Sequence, residues 1–170
     1  EGATVINVAA NVEGLTIDGV NFTDKAQVVM AEAGGVKDFT FKNNTVSDLT
    51  IANGTFISFK NDGTANNEDF IIENNEFLLG EATDVPRWIR GGNILNLTVV
   101  DNVFEGIPGI YVDAIRIEGT NEGNAAGIGL GGEALITGNL FDEMGQRGLW
   151  ARRISATLFH FEDNVLDKTG

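Results

Sequence analysis

One short frame recurs through the chain and limits what it can fold into: apolar, any, apolar, any two, asparagine, any, apolar. It reads Phe39-Thr40-Phe41-Lys42-Asn43-Asn44-Thr45-Val46, then Phe70-Ile71-Ile72-Glu73-Asn74-Asn75-Glu76-Phe77, then Leu97-Thr98-Val99-Val100-Asp101-Asn102-Val103-Phe104. Ala134-Leu135-Ile136-Thr137-Gly138-Asn139-Leu140-Phe141 and Phe159-His160-Phe161-Glu162-Asp163-Asn164-Val165-Leu166 complete the set. An earlier copy, Leu15-Thr16-Ile17-Asp18-Gly19-Val20-Asn21-Phe22, has Val20 where the others have asparagine.

Before each asparagine the apolar residues alternate, which is the period of a strand rather than of a helix. Val, Ile, Phe and Thr dominate there, as the pleated surface prefers. Repeats of roughly 24 residues with short strands and Asn/Gly corners predict a parallel β-helix, in which like residues stack on like. The 170 residues hold 22 Gly and 18 Asn but only 2 Pro, which supplies many tight turns. A sharp corner aims backbone amides and carbonyls where water cannot reach. A column of Asn44, Asn75, Asn102, Asn139 and Asn164 would satisfy them from one coil to the next, an internal asparagine ladder. Phe22, Val46, Phe77, Phe104, Phe141 and Leu166 form the expected apolar column behind it. The competing fold is a β-sandwich with Asn-rich turns.

The expectation is thus one all-β solenoid module over residues 1–170, of about six to seven coils. Unequal repeat spacing places insertions at 61–67, 79–86 and 118–132, where a solenoid often borders its binding face. No capping helix is evident at either end, so uncovered strand edges suggest a module cut from a larger protein. A formal charge of −14 argues against nucleic acid or an anionic membrane as partner. The absence of cysteine removes disulfides, thiolate chemistry and cysteine–zinc sites. No apolar run is long enough to span a membrane, and no basic-then-apolar stretch opens the given sequence, so any secretion signal is expected to have been removed or to lie on a longer parent.

Counting back from the asparagines finds a second repeat. Trp88 and Trp150 each precede an asparagine by the same distance, as do Arg90 and Arg152. Alternation then sends Trp88/Arg90 and Trp150/Arg152 outward, because an arginine in a narrow core would be an unpaired buried charge. Between them, Ile115 and Ile117 take the core, leaving Ala114, Arg116 and Glu118 outward. The expected strip is two indoles two coils apart with three arginines beside them. Two strand spacings are roughly 9.5 Å, comparable to two sugars of an extended β-linked glycan. Indole faces suit pyranose C–H surfaces, while Arg, Asp and Glu hydrogen-bond hydroxyls. The candidate ligand-binding residues are Trp88, Arg90, Tyr111, Asp113, Arg116, Glu118, Trp150 and Arg152.

No nucleophilic triad or phosphate loop is present, and the single histidine, His160, reads as a surface residue. Glu105, Asp113 and Glu118 surround the strip as a candidate acid pair, or as ligands for Ca²⁺ with loop oxygens. Without a specific acid–base motif, no catalytic residue, bound metal or cofactor is assigned.

The asparagine column and the apolar-x-apolar-x-x-Asn-x-Phe coil resemble the right-handed parallel β-helix superfamily of pectate lyases and polygalacturonases. Trp88-Ile89-Arg90-Gly91 only partly echoes the lyase signature, and the polygalacturonase acid motifs are missing. Size, acidity and the paired tryptophans are more similar to small β-helical carbohydrate-binding modules attached to xylanases (family 89). That resemblance implies a right-handed helix and a secreted, extracellular bacterial module, monomeric and non-catalytic. Such a module binds xylan or a related hemicellulose and holds a covalently linked glycoside hydrolase at its substrate. The alternatives are a lyase or hydrolase for acidic polysaccharide, and an adhesin or phage-fibre segment.

Overall fold

The computed structural model describes residues 4–9, 11–23, 27–31, 35–47, 55–59, 67–80, 87–118 and 129–168. Among these the secondary structure is all β. Eighteen strands follow in groups of three: β1 Thr4–Val8, β2 Thr16–Asp18, β3 Asn21–Thr23; β4 Gln27–Ala31, β5 Lys37–Lys42, β6 Thr45–Ser47; β7 Thr55–Phe59, β8 Asn67–Glu73, β9 Glu76–Leu78. The second half continues with β10 Arg87–Gly91, β11 Ile94–Val100, β12 Val103–Glu105; β13 Asp113–Ile117, β14 Leu130–Thr137, β15 Leu140–Asp142; β16 Arg147–Ala151, β17 Ile154–Glu162, β18 Val165–Asp167. Every third strand returns to the same sheet, giving three six-stranded sheets, and every ladder is parallel. The chain therefore passes through the three sheets six times, a solenoidal arrangement. The expected insertions fall largely outside the described residues; Asn67, expected in one of them, is instead the first residue of β8.

The turn between the second and third strand of each pass is built the same way all six times. Its first residue has a left-handed backbone: Gly19 (φ 67°), Asn43 (54°), Asn74 (52°), Asp101 (53°), Gly138 (66°) and Asp163 (54°). Gly, Asn and Asp are the residues that enter this region most cheaply. At Gly138 the missing Cβ also leaves room for the Asp101 carboxylate of the neighbouring pass.

The next residue in five of these turns is a repeat asparagine, and the five are linked directly. Asn44 Nδ2 donates to Asn75 Oδ1 (3.1 Å), Asn75 to Asn102 (2.9 Å), Asn102 to Asn139 (2.9 Å) and Asn139 to Asn164 (2.9 Å). Each Oδ1 also accepts the backbone N–H of the preceding turn, beginning with Val20 N to Asn44 Oδ1 (2.9 Å). Each Nδ2 reaches back to a strand carbonyl, such as Ile72 O from Asn102 (2.9 Å). Asn44, Asn75, Asn102 and Asn139 are 1% exposed, so these groups have no water to turn to. A second buried asparagine, Asn67, closes a corner at the start of β8: it accepts from Val36 N and donates to Gly92 O.

Behind the turn, the apolar column pairs residue for residue as expected: Phe22↔Val46↔Phe77↔Phe104↔Phe141↔Leu166. Phe77 and Phe104 stack with rings 1° from parallel, and Phe104 and Phe141 with 4°. Every residue of this column is apolar. β16–β18 have a neighbouring strand on one side only. Accordingly Leu166, Phe159 and Phe161, register partners of the buried Phe141, Ala134 and Ile136, stand 51%, 37% and 38% exposed.

Asn102→Ala removes the acceptor of Asn75 N and the donors to Ile72 O and Val100 O. It should lower unfolding stability by about 3–5 kcal/mol, since buried groups left unpaired cost about 1–3 kcal/mol each. Asn21→Ala, at an exposed strand position, should stay within about 0.5 kcal/mol of the parent in the same urea titration.

Candidate functional site

The site lies on the outer face of the sheet formed by the first strand of each pass, across β10, β13 and β16. Two rows of residues cross these strands. One is Arg87↔Asp113↔Arg147, and the other is Arg90↔Arg116↔Trp150. The first row turns outward because strict alternation fails where these strands begin. Phe56 and Ile57, Trp88 and Ile89, and Ala114 and Ile115 are pairs of consecutive residues that both lie in the core. Two inward residues in succession leave the residue before them and the residue after them on the outside.

Asp113 is the centre of the site. It is fully buried, yet three guanidiniums converge on it: Arg147 Nη1 at 3.4 Å from Oδ1, and Arg116 Nη1 at 3.6 Å and Arg87 Nε at 4.0 Å from Oδ2. A buried carboxylate is tolerable only when opposite charge surrounds it in this way. Arg116 also pairs through Nε with Glu118 Oε1. Burial, reinforced by the nearby Arg90 charge and opposed by Asp113, pushes the Arg87 guanidinium below the usual arginine range. Burial and then repulsion from Arg87 do the same to Arg116, with Arg90 and Arg152 adding to the repulsion.

Trp150 is fenced by cations. The guanidinium carbons of Arg147, Arg116 and Arg152 lie 4.0, 4.1 and 4.3 Å from its ring centroid. Arg147 and Arg152 flank it along its own segment, and Arg116 faces it from the adjacent strand. Such contacts are worth about 0.5–2 kcal/mol each, depending on desolvation. They hold the indole upright and half-buried on the outer face.

Trp88 differs from expectation. It is 0% exposed and packs in the core, with ring centroids 6.3 Å from Phe56 and 5.5 Å from Phe77. Its indole Nε1 has no hydrogen-bond partner among the described residues. Nor is it level with Trp150: the flanking pairs Ile89↔Ile115↔Leu149 put Trp88 beside Ala114 and Gly148. Equal distance from the asparagines misleads because the intervening strand grows. Ile94, Leu130 and Ile154 are aligned, but the ladder shifts between Leu95 and Leu97 and again between Gly132 and Glu133. Each shift inserts one residue before the asparagine, so the count is off by two at Trp150.

Of the other expected residues, Arg90, Arg116, Arg152, Asp113 and Glu118 are on or around the two rows. Ala114, expected outward, is buried in the core. Tyr111 precedes β13 and is 62% exposed. Glu105 is on β12, in a different sheet from Asp113, so these two acids are not a pair across one strip. His160 is on the outer side of β17 with Nδ1 3.4 Å from Glu162 Oε1. No group of three or more His, Cys, Asp or Glu among the described residues is arranged to hold a metal ion. Sequence reasoning missed Arg87 and Arg147. Both lie seven residues before the aligned Ile94 and Ile154, so counting from the strand start, not from the asparagine, would have found them.

The arrangement is a strip of guanidiniums around one indole and a buried carboxylate on a parallel sheet, and guanidinium N–H groups can donate to hydroxyl or carboxylate oxygens. No family model matches the chain, and comparison with curated proteins and with solved structures gives no match.

The two tryptophans should separate in denaturation. Trp88→Ala should cost about 3–5 kcal/mol, as for a large aromatic lost from a core, and Trp150→Ala clearly less. Asp113→Asn should cost about 3 kcal/mol, because three guanidiniums lose their shared buried partner; Glu118→Gln, at the rim, should cost under about 1 kcal/mol.

Proposed function

We propose that this chain is a non-catalytic carbohydrate-binding module that holds a plant cell-wall polysaccharide, xylan or a related hemicellulose, along the outer face of β10, β13 and β16. On this reading the fold is a right-handed parallel β-helix, and the linked asparagines are its internal ladder. The module works outside the cell as a monomer attached to a glycoside hydrolase. Attachment raises the effective concentration of enzyme at its substrate.

The supporting observation is the row Arg90–Arg116–Trp150. It crosses three adjacent strands and spans about 9.5 Å, two strand spacings, close to the length of a disaccharide unit in an extended β-linked chain. A polymer laid across the strands would meet a guanidinium fork at one end and an indole at the other. Guanidiniums donate several hydrogen bonds in a fixed plane, which suits the hydroxyls of a sugar ring. The ligand-contacting set is therefore Trp150, Arg90, Arg116 and Arg152, with Tyr111 exposed nearby. Trp88 supports the sheet from within. Asp113 and Glu118 orient arginines. Asp113, held among three guanidiniums, fits a positioning role better than proton transfer. A rigid, preformed surface also avoids the cost of ordering a mobile one.

Affinity electrophoresis in gels containing xylan, mixed-linkage glucan or pectate tests the reading. Migration of the parent should be retarded by xylan. Trp150→Ala and Arg90→Gln should each weaken retardation about tenfold, the scale of one lost charge-assisted contact. Unretarded migration on every polymer defeats the reading, and release of reducing sugar or unsaturated product by the isolated chain replaces it with an enzyme.

A further inference from the structure

The charge of the site does not match the charge of the chain. Five of the six arginines in the sequence, Arg87, Arg90, Arg116, Arg147 and Arg152, gather around Trp150 and Asp113, facing two carboxylates, Asp113 and Glu118. The rest of the chain is therefore more negative than the formal −14 of the whole. Asp113 is shared by three of the guanidiniums, and Glu118 is engaged by Arg116. Arg90 and Arg152 have no carboxylate partner among the described residues. They sit on either side of Arg116, which feels the repulsion of both. A neutral sugar would leave this repulsion in place. An anion set over Arg116 would relieve it from two sides, with charge-assisted hydrogen bonds stronger than those to hydroxyls.

The surroundings limit how much negative charge the ligand can carry. A polyanion such as nucleic acid or a continuous polyuronate would extend past the arginines into the acidic remainder of the surface, where each further charge is repelled. One carboxylate on an otherwise neutral chain meets the arginines alone. We infer that the site selects a neutral β-glycan bearing isolated acidic branches, a uronic acid substituent, with Arg90 and Arg152 gripping the branch carboxylate while Trp150 and Arg116 meet the main chain. This rests on the glycan-binding reading above.

The probe is glucuronic-acid-substituted xylan and the same polymer after chemical reduction of its carboxyl groups, titrated by calorimetry at low and high salt. The parent should bind the acidic polymer about tenfold more tightly than the reduced one, the worth of one charge-assisted contact. High salt should shrink that gap. Arg90→Gln and Arg152→Gln should lower affinity for the acidic polymer more than for the reduced one and so remove most of the gap, whereas Trp150→Ala should weaken both alike and keep it. Arg90→Lys should keep part of it, and Lys168→Gln, on the far sheet, should keep all of it. Circular dichroism confirms that each variant is folded. Equal affinity for the two polymers overturns this inference and leaves the glycan reading standing. Binding to neither overturns the glycan reading, and this inference with it. Tighter binding of a thymidine oligonucleotide than of the acidic xylan overturns the inference in favour of a polyanion site.

Discussion

The structure depends on what happens to a few backbone groups at one corner. Six times the chain turns from the second strand of a pass into the third, and at five of these turns an N–H and a strand carbonyl are met by the asparagine of the next pass. An unpaired buried amide costs more than a single packing contact returns. The asparagine amide answers this because it accepts and donates through one planar group. Asn75 takes the N–H of Asn44 and gives to Phe41 O, while its own N–H goes to Asn102. Each asparagine thus completes its neighbour's turn, and Asn102 and Asn139 also donate to a carbonyl of their own. The demand propagates from pass to pass, and the corner becomes the fixed point from which strand positions on both sides are set.

Rigidity at the corner makes the outer site possible. β10 and β13 are held in register by ladders on both sides and β16 by its ladder to β13, so side chains four or five ångströms apart in the sheet keep that spacing without help from loops. On such a surface Asp113 can be buried. Removing a carboxylate from water is costly, and the three guanidiniums around it offset that cost without necessarily making the chain more stable. What the arrangement supplies is orientation. Arg116, tied to both Asp113 and Glu118, is pinned against Trp150, and the pinned arginine in turn leaves Arg90 and Arg152 as the less constrained cations at the edges. Preorganised donors of this kind bind with less loss of side-chain freedom.

The sequence made the corner legible and the site only partly so, for a physical reason. At the corner two adjacent positions are specified, the first by a left-handed backbone that wants Gly, Asn or Asp and the second by a hydrogen-bond column that wants Asn. No residue can be added between them, and so the column Phe22 to Leu166 could be aligned without error. On the long strand nothing forbids an added residue. β14 and β17 each accommodate one at a bulge, and the ladder resumes beyond it. Any count carried across that strand is displaced, which is how Trp88 and Trp150 came to look equivalent. Alternation failed for a different reason. Trp88 and Ile89 are consecutive and both in the core, so the rule that neighbours point to opposite faces does not hold where the first strands begin. The exclusion of arginine from the core did hold for Arg90 and Arg152, and Ile115 and Ile117 in the core placed Arg116 outside, although Trp88, grouped with Arg90, lies inside.

The same column explains why one tryptophan is inside and the other outside. Along the first sheet the inward position beside the Phe column runs Phe56, Trp88, Ala114, Gly148. The interior does not widen to match. Where the first sheet contributes Ala114 and Gly148, Phe104 and Phe141 stack nearly parallel, and Met144 and Val112 are also fully buried. At Gly148 a Cβ would come within 3.0 Å of Phe141 Cγ, a ring atom with no room to retreat in a close-packed core. A large side chain at that level of β16 therefore has no inward place. Trp150, two residues on, is on the outer face because Gly148 and Leu149 take the two consecutive inward positions that Trp88 and Ile89 take on β10, and its apolar surface is covered by guanidiniums instead of by other rings. The indole that meets solvent is thus set by volume inside the solenoid, and the arginines that cover it make a displaced aromatic part of a charged surface.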